Sequence, residues 1–233
     1  MKGSINSIET LGLLDGPGIR CVVFLNGCKL RCKYCHNPEM WCMQEDNYTS
    51  EELVKKILKY KPYFKDNGGV TFSGGEPLLQ CDFLIETMKL LKKENIHICI
   101  DTAGVGRGNY QKILELTDLV LFDIKHTNNE EYKKLTGMDI FESEKFIEEM
   151  NKQNKPVWIR QVIVPGITDS EEYLSSLKEY LKKINNIKRI DFLPYHNMGL
   201  DKYEKLNLFY PLTNTPVMNN QKCEELYIKF MNL

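Results

Sequence analysis

One stretch of the chain reads Gly27-Cys-Lys-Leu-Arg-Cys-Lys-Tyr-Cys-His-Asn37, which spaces Cys28, Cys32 and Cys35 as C-x3-C-x2-C. No fourth cysteine follows at ligand distance, whereas a closed structural metal site uses four ligands. Three thiolates would bind three irons of a [4Fe–4S] cluster and leave the fourth iron open to a small molecule. The spacing therefore predicts a catalytic cluster rather than a structural metal.

Two other metal sites fit the cysteines less well. A zinc site needs a fourth ligand, and the nearest candidate, His36, directly follows Cys35, so the two side chains diverge. An electron-transfer cluster normally has a fourth cysteine in its run. Cys42 matches no ligand run and is interpreted as structural. Metal analysis would separate a zinc or simple iron–sulfur binding module from a catalytic cluster.

The composition bounds the class of protein. The chain has 233 residues, 42% of them hydrophobic and 27% charged, with a net charge of -1, so no global field favours nucleic acid or an anionic membrane. No apolar run is long enough to span a membrane, and the N-terminus lacks a signal-peptide core. We expect one domain over residues 1–233, with core motifs in 15–200 and a less certain segment at 201–233. We also expect a cytoplasmic location, where thiols stay reduced.

Short β-branched runs alternate with helix-patterned runs along the chain. This alternation implies parallel strands joined by right-handed crossovers, as in an open α/β sheet or an incomplete (β/α) barrel. The predicted strands are 19–25, 69–72, 97–101, 119–124, 157–164 and 189–193. The predicted helices are 49–60, 82–93, 111–116, 141–152, 171–184 and 221–231.

Nearly every unusual polar cluster follows one of these strands. Parallel strands gather their carboxyl ends on one rim, where active sites are built. A carboxylate at the end of an apolar strand is costly unless it is paired or bound to a cation. We therefore expect the rim motifs to converge. They are Cys28–Cys35, Ser73-Gly-Gly-Glu-Pro77, Asp101-Thr-Ala-Gly104, Asp123-Ile-Lys125, Arg160 and Pro194-Tyr-His196.

Through the C-x3-C-x2-C loop, the chain resembles the radical S-adenosylmethionine (SAM) superfamily. The ordered rim motifs, together with Asp15-Gly-Pro-Gly-Ile-Arg20 and Cys32-Lys-Tyr-Cys-His-Asn37, resemble the activases of glycyl radical enzymes. The resemblance implies a partial (β/α)6 barrel and an oxidoreductase whose cluster is held by Cys28, Cys32 and Cys35. One electron from the cluster would cleave SAM, and the resulting 5′-deoxyadenosyl radical would take hydrogen from a glycine Cα. The protein would supply binding and positioning.

The resemblance also implies roles for other rim residues. The cofactor-binding residues would be Tyr34, Asn37, Gly75, Glu76, Asp123, Lys125 and His196. Of these, Gly75 and Glu76 would hold the amino group of SAM, and Lys125 and His196 its carboxylate and ribose end. A possible monovalent cation would bind Asp101, Thr102, Asp123 and the backbone of Leu121. A protein partner would meet Asp15, Arg160 and His196.

The cysteine count bears on the partner. Activases with an inserted two-cluster domain need about eight further cysteines, and only Cys42 lies between Cys35 and Ser73. The implied partner is therefore pyruvate formate-lyase, with reduced flavodoxin or ferredoxin as the expected electron donor. Ala103 and the segment 206–220 depart from the family pattern. A radical SAM enzyme acting on a small molecule is the alternative that keeps the cofactor.

Overall fold

The computed structural model describes residues 1–233 and contains one seven-stranded sheet and a separate two-stranded one. The strands are β1 Lys2–Gly3, β2 Ile5–Gly12, β3 Arg20–Leu25, β4 Tyr48–Thr49, β5 Gly69–Gly74, β6 His97–Thr102, β7 Leu119–Ile124, β8 Val157–Ile163 and β9 Ile187–Pro194. The helices are α1 Ser50–Leu58, α2 Lys61–Phe64, α3 Cys81–Lys93, α4 Tyr110–Leu116, α5 Asn129–Thr136, α6 Phe141–Lys152, α7 Glu171–Leu181, α8 Leu200–Lys205 and α9 Asn220–Met231. Short 3₁₀ turns lie at Pro38–Met40 and Pro77–Gln80.

The large sheet has the strand order β2-β3-β5-β6-β7-β8-β9. β2 pairs with β3 antiparallel, and every later neighbour is parallel. The six predicted strands are the parallel ones, and their carboxyl ends lie on one rim. β2 and β9 form the two edges and do not pair with each other, so the sheet has an open seam between its first and last strands.

The central parallel strands β3, β5, β6 and β7 are apolar along nearly their whole length because both of their faces are covered. In β3, Cys21, Val22, Val23 and Leu25 are fully buried, and β5 and β7 are almost as enclosed. Continuous burial of this kind is typical of parallel strands that are covered on both faces. The rigid sheet therefore holds the loops that follow its strands in fixed positions.

Local signals explain several helix boundaries. The predicted capping box of α1 is present: the Glu52 N–H donates to Thr49 Oγ1 at 3.1 Å, and the Thr49 N–H donates to Glu52 Oε2 at 2.9 Å. The predicted helix 171–184 ends earlier, at Leu181, and the predicted strand 189–193 extends over Ile187–Pro194. β1, β2, β4, α2, α5 and α8 were not predicted.

The segment 201–233 packs against the core. The rings of Tyr227 and Phe230 in α9 lie 5.5 and 5.1 Å from that of Phe192 in β9. The Tyr195 and Tyr210 hydroxyls lie 2.8 Å apart, and the Met218 N–H donates to the Tyr195 carbonyl at 2.8 Å. None of the helices has the length and apolar composition needed to cross a bilayer.

Candidate functional site

The carboxyl rim encloses a cavity of about 380 Å³ that is lined by most of the predicted site residues. Those on its wall are Asp15, Cys28, Cys32, Tyr34, Cys35, Asn37, Gly75, Glu76, Asp101, Thr102, Asp123, Lys125 and Arg160. Leu121 and His196 are not part of the lining. Leu121 is buried in β7, where it pairs with Asp101 of β6. The structure therefore brings together motifs that are far apart in sequence.

The cysteine loop is fixed by backbone hydrogen bonds on both sides. The Gly27 and Cys28 N–H groups donate to the Met40 and Trp41 carbonyls at 2.8 and 3.1 Å. The Arg31 and Lys33 N–H groups donate to carbonyls at the end of α5, at 2.7 and 2.9 Å. The loop is thus held between the first 3₁₀ turn and α5, and its three cysteine side chains share one cavity wall.

The thiols lie in a desolvated environment. Cys32 is buried, and Cys28 and Cys35 are half-buried; all three are free thiols. Burial raises the pKa of the Cys32 thiol to about 11 and that of Cys28 further still. Thiolates in such a place need positive charge, which iron supplies. No group of three or more His, Cys, Asp or Glu side chains converges closely enough to hold a single metal ion.

Two glycines let the end of β5 approach the cysteine loop. Gly74 has φ +113°, and a Cβ on Gly75 would lie 2.4 Å from the Gly27 carbonyl oxygen. The Gly75 N–H donates to the Leu25 carbonyl at 2.9 Å, and the Glu76 N–H donates to the Gly27 carbonyl at 2.8 Å. We predicted close approach of the backbone to a ligand; what the glycines contact here is the cysteine loop.

Glu76 is buried and joins the ends of β5 and β6. Its Oε1 accepts from the Leu78 N–H at 3.1 Å and from Thr102 Oγ1 at 2.6 Å, and its Oε2 accepts from the Ala103 N–H at 3.0 Å. Burial raises the pKa of Glu76 to about 7, against these hydrogen bonds. Most of the hydrogen bonds that the Glu76 carboxylate can accept are therefore made within the protein.

Arg160 of β8 extends across the rim to two carboxylates. Its guanidinium donates to Asp101 Oδ1 and, at 3.1 Å, to Asp123 Oδ1. Ser73 Oγ donates to Asp101 Oδ2 at 2.6 Å, and Lys125 Nζ lies 3.3 Å from Asp123 Oδ2. Burial acts to raise the pKa of Asp123, but Arg160 and Lys125 hold it below its usual range. The strand-end carboxylates are thus paired, as their location requires.

Aromatic side chains lie within and against the cysteine loop. The Tyr34 hydroxyl is buried without a hydrogen-bond partner, and Lys125 Nζ lies 5.6 Å from the centre of the Tyr34 ring. The His36 and His196 rings stack with centroids 3.9 Å apart, so His196 lies against the cysteine loop. An orphan hydroxyl beside three thiols fits a site that is completed by a bound group.

Two contacts of the loop were not predicted. Lys202 Nζ of α8 donates to Asn37 Oδ1 at 2.6 Å and lies 2.5 Å from Glu39 Oε1. The Asn37 N–H donates to Cys35 Sγ at 3.4 Å and so opposes the rise in pKa that burial causes there. Lys202 belongs to no motif and lies more than 160 residues from Asn37, so no spacing in the sequence indicates this contact.

These features define a class: a parallel α/β protein with a cysteine loop and a glycine-rich strand end on one rim cavity. The Radical SAM superfamily model matches residues 22–193. The chain is 52% identical to the pyruvate formate-lyase-activating enzyme of Clostridium pasteurianum, over 98% of each chain. It is 44% identical to that of Streptococcus mutans, over 91% of this chain and 84% of the other.

Solved structures support the fold. A domain of pyruvate-formate lyase-activating enzyme from Bacteroides vulgatus superimposes with a TM-score of 0.55 at 22% identity, over 70% of this chain and 95% of that one. A radical SAM methyltransferase from Sphaerobacter thermophilus gives 0.65 at 15% identity, over 91% and 64%. At these identities the likeness concerns the fold alone. The predicted partial (β/α)6 barrel is confirmed.

The chain belongs to the radical SAM superfamily and, within it, to the family of pyruvate formate-lyase-activating enzymes. Membership implies a [4Fe–4S] cluster and SAM as cofactors. The three thiols on one cavity wall, the orphan Tyr34 hydroxyl and a cavity of about 380 Å³ fit such a pair of groups.

Proposed function

We propose that this protein is a radical SAM activase that generates a glycyl radical on pyruvate formate-lyase under anaerobic conditions. The observation that carries the proposal is the 52% identity to an enzyme of that name over 98% of both chains. The cysteine loop supports it, because all three thiols open into the rim cavity. When bound, the cluster and SAM supply a one-electron cleavage that yields a 5′-deoxyadenosyl radical.

The residues of the chain bind, orient and shield these groups. Cys28, Cys32 and Cys35 would hold the cluster, and the half-buried cavity would limit the access of water to it. Lys125, already beside Asp123, would attract the carboxylate of SAM. Because Glu76 accepts three internal hydrogen bonds, we assign the methionine amino group chiefly to the backbone at Gly75, with Glu76 keeping that backbone in place.

The remaining cofactor contacts are proposed from position. Tyr34 and Asn37 lie on the cavity wall and would contact the adenine side and the cluster edge. His196, stacked on His36, would reach the ribose end from the rim. A monovalent cation at Asp101, Thr102, Asp123 and the Leu121 carbonyl would have to share both carboxylates with Arg160, which already pairs with them.

The protein partner would meet the mouth of the cavity. Asp15 and Arg160 lie on its wall, and His196 lies at its rim, so these three residues would contact the glycine-bearing loop of pyruvate formate-lyase. Reduced flavodoxin or ferredoxin would supply the electron. A cluster with an open iron and eight free thiols suits a reducing compartment, so we propose that the enzyme acts in the cytoplasm.

The test is electron paramagnetic resonance on anaerobically reconstituted enzyme with SAM, a reductant and pyruvate formate-lyase. We expect a stable glycyl radical on the partner and stoichiometric 5′-deoxyadenosine. Formation of 5′-deoxyadenosine without a glycyl radical would support cleavage of SAM by the enzyme, but would contradict pyruvate formate-lyase as its substrate. A protein with one zinc and no sulfide would overturn the proposal.

The matched variants are Cys32→Ala and Cys42→Ala. Cys32 lines the cavity, whereas Cys42 is exposed and lies outside it. We expect the first variant to lose the cluster signal and all 5′-deoxyadenosine formation, and the second to keep both. Iron and sulfide analysis checks the loss directly. Full activity of Cys32→Ala would contradict its assignment as a cluster ligand.

A further inference from the structure

The cysteine loop has two faces of different character. Cys28, Leu30, Cys32 and Tyr34 line the rim cavity, while the three residues between them do not. Those three are all cations: Lys29, Arg31 and Lys33. Lys29 and Arg31 are exposed, and Lys33 is half-buried. The outer face of the loop therefore carries three positive charges, on residues that are adjacent in sequence to the cluster cysteines Cys28 and Cys32 or lie between them.

These charges have no carboxylate partner within salt-bridge distance, and neither has the exposed Arg107. Lys29 Nζ donates to the Gly106 carbonyl at 3.0 Å, and Arg107 is the next residue in the chain. Arg31 donates to the Leu30 carbonyl at 2.9 Å, and its guanidinium lies 4.9 Å from the centre of the Trp41 ring. The four form what we call the cationic face: Lys29, Arg31, Lys33 and Arg107.

Two acidic groups near this face are paired with other lysines. Lys134 chiefly lowers the pKa of Glu131 and lies 2.7 Å from it, and Lys33 adds a smaller effect. Lys145 chiefly lowers the pKa of Glu142 and lies 2.8 Å from it, and Lys29 adds a smaller effect. The cations of the face form no salt bridge of their own, so their charge is available to a partner, although the chain as a whole has a net charge of -1.

We propose that the cationic face is the docking surface for a small acidic one-electron carrier protein, an inference that rests on the proposed function. Cleavage of SAM consumes one electron: the carrier is oxidised by one electron and the bound cluster is reduced by one. The mouth of the cavity must stay free for the partner's glycine loop. The outer face of the cysteine loop is separate from the mouth and close to the thiols, and charge complementarity would steer an acidic protein to it.

The test compares two variants with equal changes in charge. Lys29→Glu/Lys33→Glu removes the net positive charge of the cationic face but keeps Arg31, which braces the loop. Lys89→Glu/Lys188→Glu makes the same change at exposed lysines on α3 and β9 that have no salt bridge. Both holoenzymes are reduced anaerobically by reduced flavodoxin over a range of salt concentrations, and the cluster absorbance is followed by stopped flow.

We expect the first variant to be reduced at least tenfold more slowly than wild type at low salt, with a flatter dependence on ionic strength. The control should keep the wild-type rate to within about twofold. Photoreduced 5-deazariboflavin, an uncharged reductant, should reduce all three proteins equally. Glycyl radical formation with that reductant tests the proposed function separately.

Three results would overturn the inference. One is an unchanged rate and salt dependence with flavodoxin. Another is an equal loss in the control, which would indicate an effect of net charge alone. The third is a slower reduction of the first variant by 5-deazariboflavin as well, because the face would then act on the cluster itself. The same holds if the first variant loses binding to pyruvate formate-lyase and keeps its reduction by flavodoxin, because the face would then serve the other partner.

Discussion

Arg160 sets the charge balance of the rim. It is 84% buried, and its side chain pairs with Asp101 and Asp123, so one guanidinium neutralises carboxylates from two neighbouring strands. Removing one member of a buried ionic group leaves an uncompensated charge, which is far more costly than the loss of an exposed pair. The same pairing keeps Arg160 within reach of the cavity mouth.

We predict that Arg160→Ala lowers the free energy of unfolding by about 3–5 kcal/mol because the buried Asp101 loses its counter-ion and Asp123 keeps only Lys125. Arg189→Ala, which breaks the more exposed pair with Asp191, is the matched control and should have a small effect. Urea denaturation of the cluster-free proteins measures both. Equal effects of the two substitutions would contradict a buried charge network at the rim.

Glu76 makes the stability of the rim depend on pH. Its pKa in the folded protein is about 7, against an ordinary value of 4.5. Because the folded state binds this proton more tightly, the stabilisation it gives is complete below pH 4.5 and is lost as the pH rises to about 7. The total change is about 3 kcal/mol.

We predict that the difference in free energy of unfolding between wild type and Glu76→Gln shifts against the wild type as the pH rises from about 4.5 to about 7, and is constant above that range. Glu204→Gln, at an exposed position, controls for the chemical change. Urea titrations at several pH values provide the measurement. A difference that is constant across the range would show that folding does not raise the pKa of Glu76.

Individual elements differ in how clearly the sequence predicts them. The central strands β3, β5, β6 and β7 are visible because burial on both faces makes them nearly continuous apolar runs, whereas β8 and β9 are recognised from β-branched residues between polar ones. β2 was missed because it is an edge strand of mixed exposure, with polar residues such as Asn6, Ser7 and Glu9. α8 has only six residues, too few to show a helical period. Neither element carries a motif, although β2 pairs with β3 and Lys202 of α8 contacts Asn37 of the cysteine loop.

α5 was missed although its boundary signals are present. Asn128 caps its N-terminus by accepting from the Glu131 N–H at 2.9 Å, and Gly137 follows its C-terminus with φ +78°. Only three of its eight residues are buried, so its apolar period is faint. Caps of this kind were the available signal. The omission mattered, because the end of α5 holds the cysteine loop.

The convergence of the rim motifs could be predicted from topology, but their pairing could not. Parallel strands place their carboxyl ends together whatever the side chains are. That Arg160 joins two aspartates, or that Glu76 accepts three internal hydrogen bonds, depends on side-chain directions across strands that are distant in sequence. The spacing of the three cysteines within one loop predicts a metal site, whereas the sequence separation of residues on different strands does not predict which of them pair.

At the scale of the whole molecule, we predict that residues 1–233 unfold as one unit. Trp41 packs edge-on against Tyr203 of α8 at 5.8 Å, whereas Trp158 lies in β8. Trp41→Phe and Trp158→Phe therefore leave single fluorescent probes in different regions. Their urea midpoints should each coincide with that of far-UV circular dichroism on the same cluster-free protein. Separate midpoints for fluorescence and dichroism would indicate that the segment 201–233 unfolds independently.

The open seam between β2 and β9 has a topological consequence. The lumen of a closed barrel is reached only through its two ends, so only a chain terminus or a hairpin loop can enter it. A barrel that is open between its first and last strands can also be entered from the side, by an internal segment of a polypeptide whose two ends stay outside. A sheet that is open between β2 and β9 is therefore not restricted to chain ends, and its interior can be approached from the side by an internal loop.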